Sequence, residues 1–251
     1  MMENQTDYIA SLISLHSGLE RQGPGDTDFS RRILAGLQGL PAKPRIADLG
    51  CGTGTASLML AEYFQSSVLA VDLASAFLAE LRVEARLRGL DHLITVIEAD
   101  MGHLDWPDAS IELLWSEGAA YNLGFAQALQ IWRRLLVDGG KAVVSEMSWF
   151  AEDIPQPVLV FWNAVYPTMG HERDDIAHAE RAGFKVLATH RLPSALWWSN
   201  YYGPLMRRLD EIRAVADPVM QAVIKETETE MDLFRQFSDL YGYTFYILEA
   251  V

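Results

Sequence analysis

Cysteine is almost absent: Cys51 is the only one among 251 residues. That excludes an internal disulfide and a metal site built from thiolates. His171 and His178 lack metal-ligand spacing, and no carboxylate–histidine cluster repeats a zinc or iron pattern, so no metal is expected. Positive charge is scarce as well. Lys and Arg number 20 against 34 Asp and Glu, for a formal net charge of −14. A phosphate backbone is bound by clustered cations, so nucleic acid is not an expected partner. No apolar run reaches membrane-spanning length, so no membrane partner is expected. Residues 1–7 lack the basic and apolar regions of a signal peptide, which makes a cytoplasmic location the expectation. No internal repeat or low-complexity segment is present.

What is there is half hydrophobic, enough for one large domain or one domain with an insertion. The chain is organised around residues 45–55, Arg-Ile-Ala-Asp-Leu-Gly-Cys-Gly-Thr-Gly-Thr. An apolar run ends at Asp48, and glycines follow at 50, 52 and 54. Residues 56–64 then carry apolar side chains at helical spacing. This reads as strand, tight turn and helix. The glycines permit positive φ and leave room for a ligand against the backbone, with the helix N-terminus aimed at it.

Before this unit lie two amphipathic helices, over about 5–20 and 28–40, joined through Gly23-Pro24-Gly25. After it, residues 67–72 read as a buried strand ending at Asp72, 22 positions beyond Gly50. A carboxylate at that distance, at the carboxyl end of the neighbouring strand, is placed to accept ribose hydroxyls. A helix over 74–89, a strand over 93–97, a strand over 111–116, a helix over 123–137 and a strand over 142–146 follow. Helical patterns cover 156–166 and 172–182, a sixth strand 184–190 and a seventh 243–249. The residues between the last two strands, about 193–241, are mostly helical.

The D-x-G-x-G-x-G run resembles the nucleotide loop of class I S-adenosylmethionine (SAM)-dependent methyltransferases. The stretch from Leu104 to Trp115 and the Gly139-Gly140 turn before the fifth strand are also similar to that superfamily. Residues 115–122, Trp-Ser-Glu-Gly-Ala-Ala-Tyr-Asn, resemble a stretch in small-molecule methyltransferases of bacteria and archaea. The resemblance covers about 45–192 and 243–250. It implies an α/β Rossmann-like domain with seven strands in the order 3-2-1-4-5-7-6, strand 7 antiparallel, flanked by helices. The whole chain 1–251 would be that single domain, with residues 1–40 as a helical lid and 193–241 as an insertion.

The implied activity is transfer of the methyl group of SAM to a small molecule, leaving S-adenosylhomocysteine. The implied cofactor contacts are Asp48, Gly50, Cys51, Gly52, Gly54, Asp72, Leu73, Asp100, Met101 and Glu117, with Arg21 reaching the SAM carboxylate. Asp100 would receive the adenine amino group and Met101 would pack the ring. Glu117 is also the first candidate for a catalytic base or for holding a substrate cation. Tyr121, Asn122, Glu146, Trp149 and His16 are candidate substrate contacts.

Plainer readings stand beside these. Asp72 also suits a helix N-cap, Glu117 a structural hydrogen bond, and His16 a satisfied core histidine. Trp197, Trp198, Tyr201 and Tyr202 could overhang the site as a substrate cage, and read more plainly as core or as the surface of a homodimer. Glu226, Glu228 and Glu230 read as one solvated face. Two rival functions remain open on the sequence: an NAD(P)-dependent oxidoreductase, against which Thr55 speaks, and a non-catalytic SAM- or S-adenosylhomocysteine-binding protein.

Overall fold

A computed structural model describes residues 2–251, with side chains from residue 6 onward; Met1, at the start of the expected lid, lies outside them. The chain begins with α1 (Met2–His16) and α2 (Thr27–Gly36). It then alternates β1 (Ile46–Leu49), α3 (Thr55–Phe64), β2 (Val68–Asp72), α4 (Ser75–Leu87), β3 (Ile94–Glu98) and β4 (Ile111–Ser116). A helical turn at Ala120–Asn122, α5 (Phe125–Arg133) and the long β5 (Leu136–Trp149) follow. Next come α6 (Gln156–Val165), β6 (Gly170–His171), α7 (Glu172–Arg181) and β7 (Phe184–Arg191). The segment before the last strand holds α8 (Ser194–Trp197), a π-helical turn (Trp198–Tyr202), α9 (Gly203–Ile212) and α10 (Pro218–Phe237), and β8 (Tyr241–Ala250) closes the chain.

The sheet runs β3-β2-β1-β4-β5-β8-β7, with β8 antiparallel to both neighbours. That is the expected order, since β7 and β8 are the sixth and seventh strands of the sequence pattern. Two details differ. The two-residue β6 adds an eighth strand beside the end of β5. And β5 starts at Leu136, absorbing the Gly139-Gly140 turn and the end of the expected helix. The register shift between Ile111 and Leu113 on β4 accommodates that turn.

Both faces of the sheet are covered, as parallel strands require. Along β1, Ile46 packs in the core under α2 and α3, whereas Ala47 and Leu49 pack in the core with α5 and α7. Trp115 and Trp132, both fully buried, fill the two layers. The carboxyl ends of β1, β2, β4 and β5 therefore open on one edge, where ligands of open α/β sheets bind.

Candidate functional site: a glycine-lined crevice under a two-part cover

At the carboxyl end of β1, the Gly50 and Cys51 amides both donate to the Val71 carbonyl, at 2.8 and 2.9 Å. This ties the loop to β2. Gly50 has φ +75°, and a Cβ there would fall 2.1 Å from the Ala119 Cβ. Gly54 has φ +87°, and its Cβ would fall 2.1 Å from Leu81 of α4. Those two glycines let the loop pack between two neighbours. Gly52 is different: a Cβ there would meet only the Gln22 side chain, at 2.5 Å.

Asp72 closes the loop from the side. One carboxylate oxygen accepts the Gly52 N–H and the other the Ala74 N–H, both at 2.8 Å. The helix-capping and loop-holding roles thus coexist, and each oxygen keeps a second lone pair. Leu73, beside it, is 67 % exposed and offers an apolar shelf. On the same rim, Asp100 accepts the Gly102 N–H and meets His103 Nδ1, each at 2.8 Å. The His103 contact holds this carboxyl below its usual range. Met101 lies against the loop, its sulfur 3.5 Å from where a Gly50 Cβ would stand.

Asp48 does not reach this rim. It is buried, and its carboxylate takes the Ser57 hydroxyl at 2.5 Å, pinning the first turn of α3. Burial pushes its pKa up to about 7. Cys51 is buried, and burial pushes its thiol up too, so it is an inert part of the turn.

Glu117, just past β4, is a convergence point. Trp115 Nε1 (2.8 Å) and the Ser30 hydroxyl of α2 (2.7 Å) donate to one oxygen, and Arg21 Nη1 (3.1 Å) to the other. Both partners of the Glu117–Arg21 ion pair are about nine-tenths buried. A carboxylate with three donors on it is held as an anchor, and taking a proton would break that arrangement. This replaces the expected general base with a structural ion pair, and it turns Arg21 toward Glu117.

The cover has two parts that the sequence shows as unrelated. Residues 19–25 lie across the loop: the Thr53 N–H donates to Gln22 Oε1 at 3.0 Å, and the Thr55 hydroxyl to the Glu20 carbonyl at 2.7 Å. The segment between β7 and β8 then holds this strap down. Asn200 donates to the Gly25 carbonyl (3.1 Å) and Asp26 (2.9 Å). Tyr8 of α1 donates to Glu226 of α10 at 2.6 Å. His16 sits 3.0 Å from the Tyr201 hydroxyl, and its Nδ1 lies 2.8 Å from the Leu12 carbonyl. A carbonyl only accepts, so Nδ1 carries the proton and Nε2 accepts from Tyr201. Burial lowers the His16 pKa, consistent with a neutral ring. His16 therefore joins the two parts of the cover and has no ring nitrogen left for a substrate.

Beneath the cover lies the Tyr243 hydroxyl. A Cβ on Gly118 would be 3.1 Å from it, and one on Gly23 3.8 Å. Its ring stacks edge-on to Trp197. Tyr121, 44 % exposed, packs its ring against Tyr166 at 5.9 Å. Glu146 on β5 is 2 % exposed; Oε1 accepts its neighbour's N–H, and Oε2 is buried without a partner. Burial pushes Glu146 up to about 8. One substrate candidate is spoken for: Trp149 donates to the Met169 carbonyl in the core, whereas Asn122, exposed, gives one amide N–H to the Ala119 carbonyl.

Residues 46–140 match a family model described as a methyltransferase domain. A sarcosine/dimethylglycine N-methyltransferase of Halorhodospira halochloris is 25 % identical over 194 residues, covering 73 % of this chain and 67 % of that protein. A demethylmenaquinone methyltransferase of Thermus thermophilus is 36 % identical over 118 residues, 46 % of this chain and 53 % of that protein. The chain thus spans about two thirds of the first relative and about half of the second. A SAM-dependent methyltransferase of Geobacter sulfurreducens, solved with S-adenosylhomocysteine, superposes with a TM-score of 0.78 at 19 % identity, over 94 % of this chain and 96 % of that one.

Residues 46–140 are thus similar to a methyltransferase domain, and the chain has the fold of class I SAM-dependent methyltransferases. SAM is the cofactor of this family of enzymes, and the relatives named above act on small molecules. The crevice of this methyltransferase fits that group where it is testable: Gly52 leaves the loop backbone bare, Asp72 keeps free lone pairs beside it, and Leu73 and Met101 supply apolar surface.

The sequence reading missed Tyr243 and Glu230 as part of this edge. Glu230 had a signal. On α10 it falls three residues after Thr227 and four before Phe234, both buried, so it lies on the apolar stripe and not on the solvated face. Only Glu228 of the three acids turns outward, to Arg213.

Proposed function

We propose that this chain binds SAM across the loop 50–54, with Asp72 on the ribose, Asp100 and Met101 at the adenine and Leu73 beneath it. A small-molecule acceptor then approaches from the side walled by Tyr121, Glu146 and Tyr243. The observation that carries this reading is Asp72: its carboxylate is fixed by two main-chain amides at the end of β2 while retaining acceptor capacity. Bound SAM supplies a methyl group on a sulfonium, whose neutral thioether leaves without needing a proton. What the protein must contribute is alignment, which accounts for about 7–11 kcal/mol of barrier in favourable cases.

The engagement of Glu117 by three donors supports a reaction without a base at that position. In this reading the N-terminal segment and the 193–241 segment are one lid on a single domain. The net charge of −14 supports an acceptor other than nucleic acid. Trp197 and Tyr202, once candidates for a homodimer surface, are covered within the chain at 1 % and 0 % exposure, so these two rings belong to the core.

Calorimetry with S-adenosylhomocysteine and NADH tests the cofactor. The first binds and the second does not, and Asp72→Ala abolishes binding while the fold persists by circular dichroism. Binding of NADH alone would overturn the reading. Transfer of tritiated methyl to a metabolite pool tests the activity. Tight cofactor binding with no labelled product would instead mark a non-catalytic binder.

A further inference from the structure

The strap lays one side chain directly on the glycine loop. A Cβ on Gly52 would have Gln22 Oε1 at 2.5 Å, and its next two neighbours, at 3.5 and 3.9 Å, are also atoms of Gln22. Gly50 and Gly54 press on Ala119 and Leu81, whereas Gly52 has no such packing partner. A bare glycine lets a ligand approach the backbone. Here the group against it is the Gln22 carboxamide, and it is bonded in place. Its oxygen accepts the Thr53 N–H at 3.0 Å. The same oxygen lies 3.1 Å from the Thr53 hydroxyl, which donates either to it or to the Glu20 carbonyl. Its nitrogen donates to the Leu19 carbonyl at 2.9 Å, within the strap. No ligand atom fits between Gln22 and Gly52.

The order of the strands says which part of the cofactor belongs there. Asp100 and Met101 follow β3, Asp72 ends β2, and the loop 50–54 follows β1, the next strand of the sheet. A SAM molecule with its adenine at the first and its ribose at the second brings its amino-acid end over Gly52 and Thr53. That end carries a carboxylate, an acceptor for the two donors that Gln22 Oε1 faces. Resting on the reading of this crevice as the SAM site, we propose that Gln22 competes with the cofactor's carboxylate for Thr53, so that binding exchanges one for the other.

A carboxylate makes the stronger, charge-assisted hydrogen bonds, so the exchange runs toward the cofactor. It needs the rotation of one side chain. Arg21, next to it, stays paired with Glu117, and the strap keeps its anchor. The Thr53 N–H has an acceptor on either side of the exchange and never bears the cost of being left without one. The competition weakens SAM and S-adenosylhomocysteine alike, which favours departure of the product after methyl transfer. Gln22 is thus a determinant of cofactor affinity and not a wall of the cofactor site.

The test is calorimetry on the full-length chain with S-adenosylhomocysteine and with methylthioadenosine, which keeps the nucleoside and the thioether but has no amino-acid end. Gln22→Ala tightens S-adenosylhomocysteine about fivefold, the worth of one neutral hydrogen bond, and leaves methylthioadenosine unchanged. If that variant fails to fold, Gln22→Ser is read in its place, with the same sign.

Weaker binding of S-adenosylhomocysteine by the variant overturns the proposal, since Gln22 would then hold the cofactor and not compete with it. An equal change for both ligands overturns it too, because the side chain would be acting on the strap as a whole. So does no change for either. In each of these cases the wild type still binds S-adenosylhomocysteine and the methyltransferase reading stands. Failure of the wild type to bind either ligand removes that reading itself.

Discussion

The crevice has a floor and a cover, and they are built by different means. The floor, residues 48–54 and 72–74, is held by main-chain amides: Gly50 and Cys51 to Val71, Gly52 and Ala74 to Asp72. Its partners lie within about one βα unit of each other. The cover is held by side chains that reach across the sequence, Tyr8 to Glu226, His16 to Tyr201, Asn200 to Asp26 and Arg21 to Glu117. Backbone contacts need a chain path, which glycines and spacing announce. Side-chain contacts need only a meeting in space. The floor is therefore recognisable in the sequence, and the cover is not.

The largest predicted effect strikes the floor. Gly50→Ala puts a Cβ 2.1 Å from Ala119 Cβ at a φ of +75°. Overpacking and left-handed strain add, so urea denaturation should show a loss on the order of 4 kcal/mol. S-adenosylhomocysteine binding should vanish. A variant of wild-type stability would mean that the loop is looser than its hydrogen bonds imply.

Arg21→Met strikes the cover. It leaves Glu117 buried with two neutral donors and no counter-charge, a loss of about 3 kcal/mol. The expected signature is regional: limited proteolysis cuts within residues 17–26, while hydrogen exchange in β1, β4 and β5 is unchanged. Uniform acceleration of exchange would show that the cover and the floor unfold as one unit, and the distinction drawn above would fail.

How much was legible follows the same division. Asp72 could be placed from its distance to Gly50, and the strand order from the alternation of strands and helices. Glu117 was visible as a residue of interest but not as an anchor, because its donors Arg21 and Ser30 are 96 and 87 positions away. His16 and Tyr201 are separated by 185. No periodicity links such pairs. Glu230 was hidden for another reason: its run of alternate acids imitates a solvated face, and only the helical stripe of α10 shows that it turns inward.

Glu146→Gln gives a change of opposite sign. Burial raises this carboxyl from the ordinary 4.5 to about 8 in the native state. Between those values the folded protein holds a proton that the unfolded chain has released, so stability falls as pH rises through the window. Glutamine does not titrate. The variant should match wild type below pH 4.5, gain about 1.4 kcal/mol per pH unit above it, and level off near pH 8. Thermal melts at pH 5 and pH 9 read this directly, and an advantage independent of pH would mean that packing, not charge burial, governs the site.

The smallest effect tests the joint between the two halves of the cover. Tyr201→Phe removes the hydroxyl that donates to His16 Nε2 and leaves that nitrogen without its partner. The cost should be about 1 kcal/mol, because one neutral hydrogen bond is lost and the rings still stack. The informative measurement is the double-mutant cycle with His16→Gln. If the two residues act through this contact alone, the double variant is hardly worse than the worse single one, with a coupling near 1 kcal/mol. Additive losses would mean that α1 and the 193–241 segment are held together by the Tyr8–Glu226 and Asn200–Asp26 contacts without help from His16, which would move the hinge of the cover from its centre to its ends.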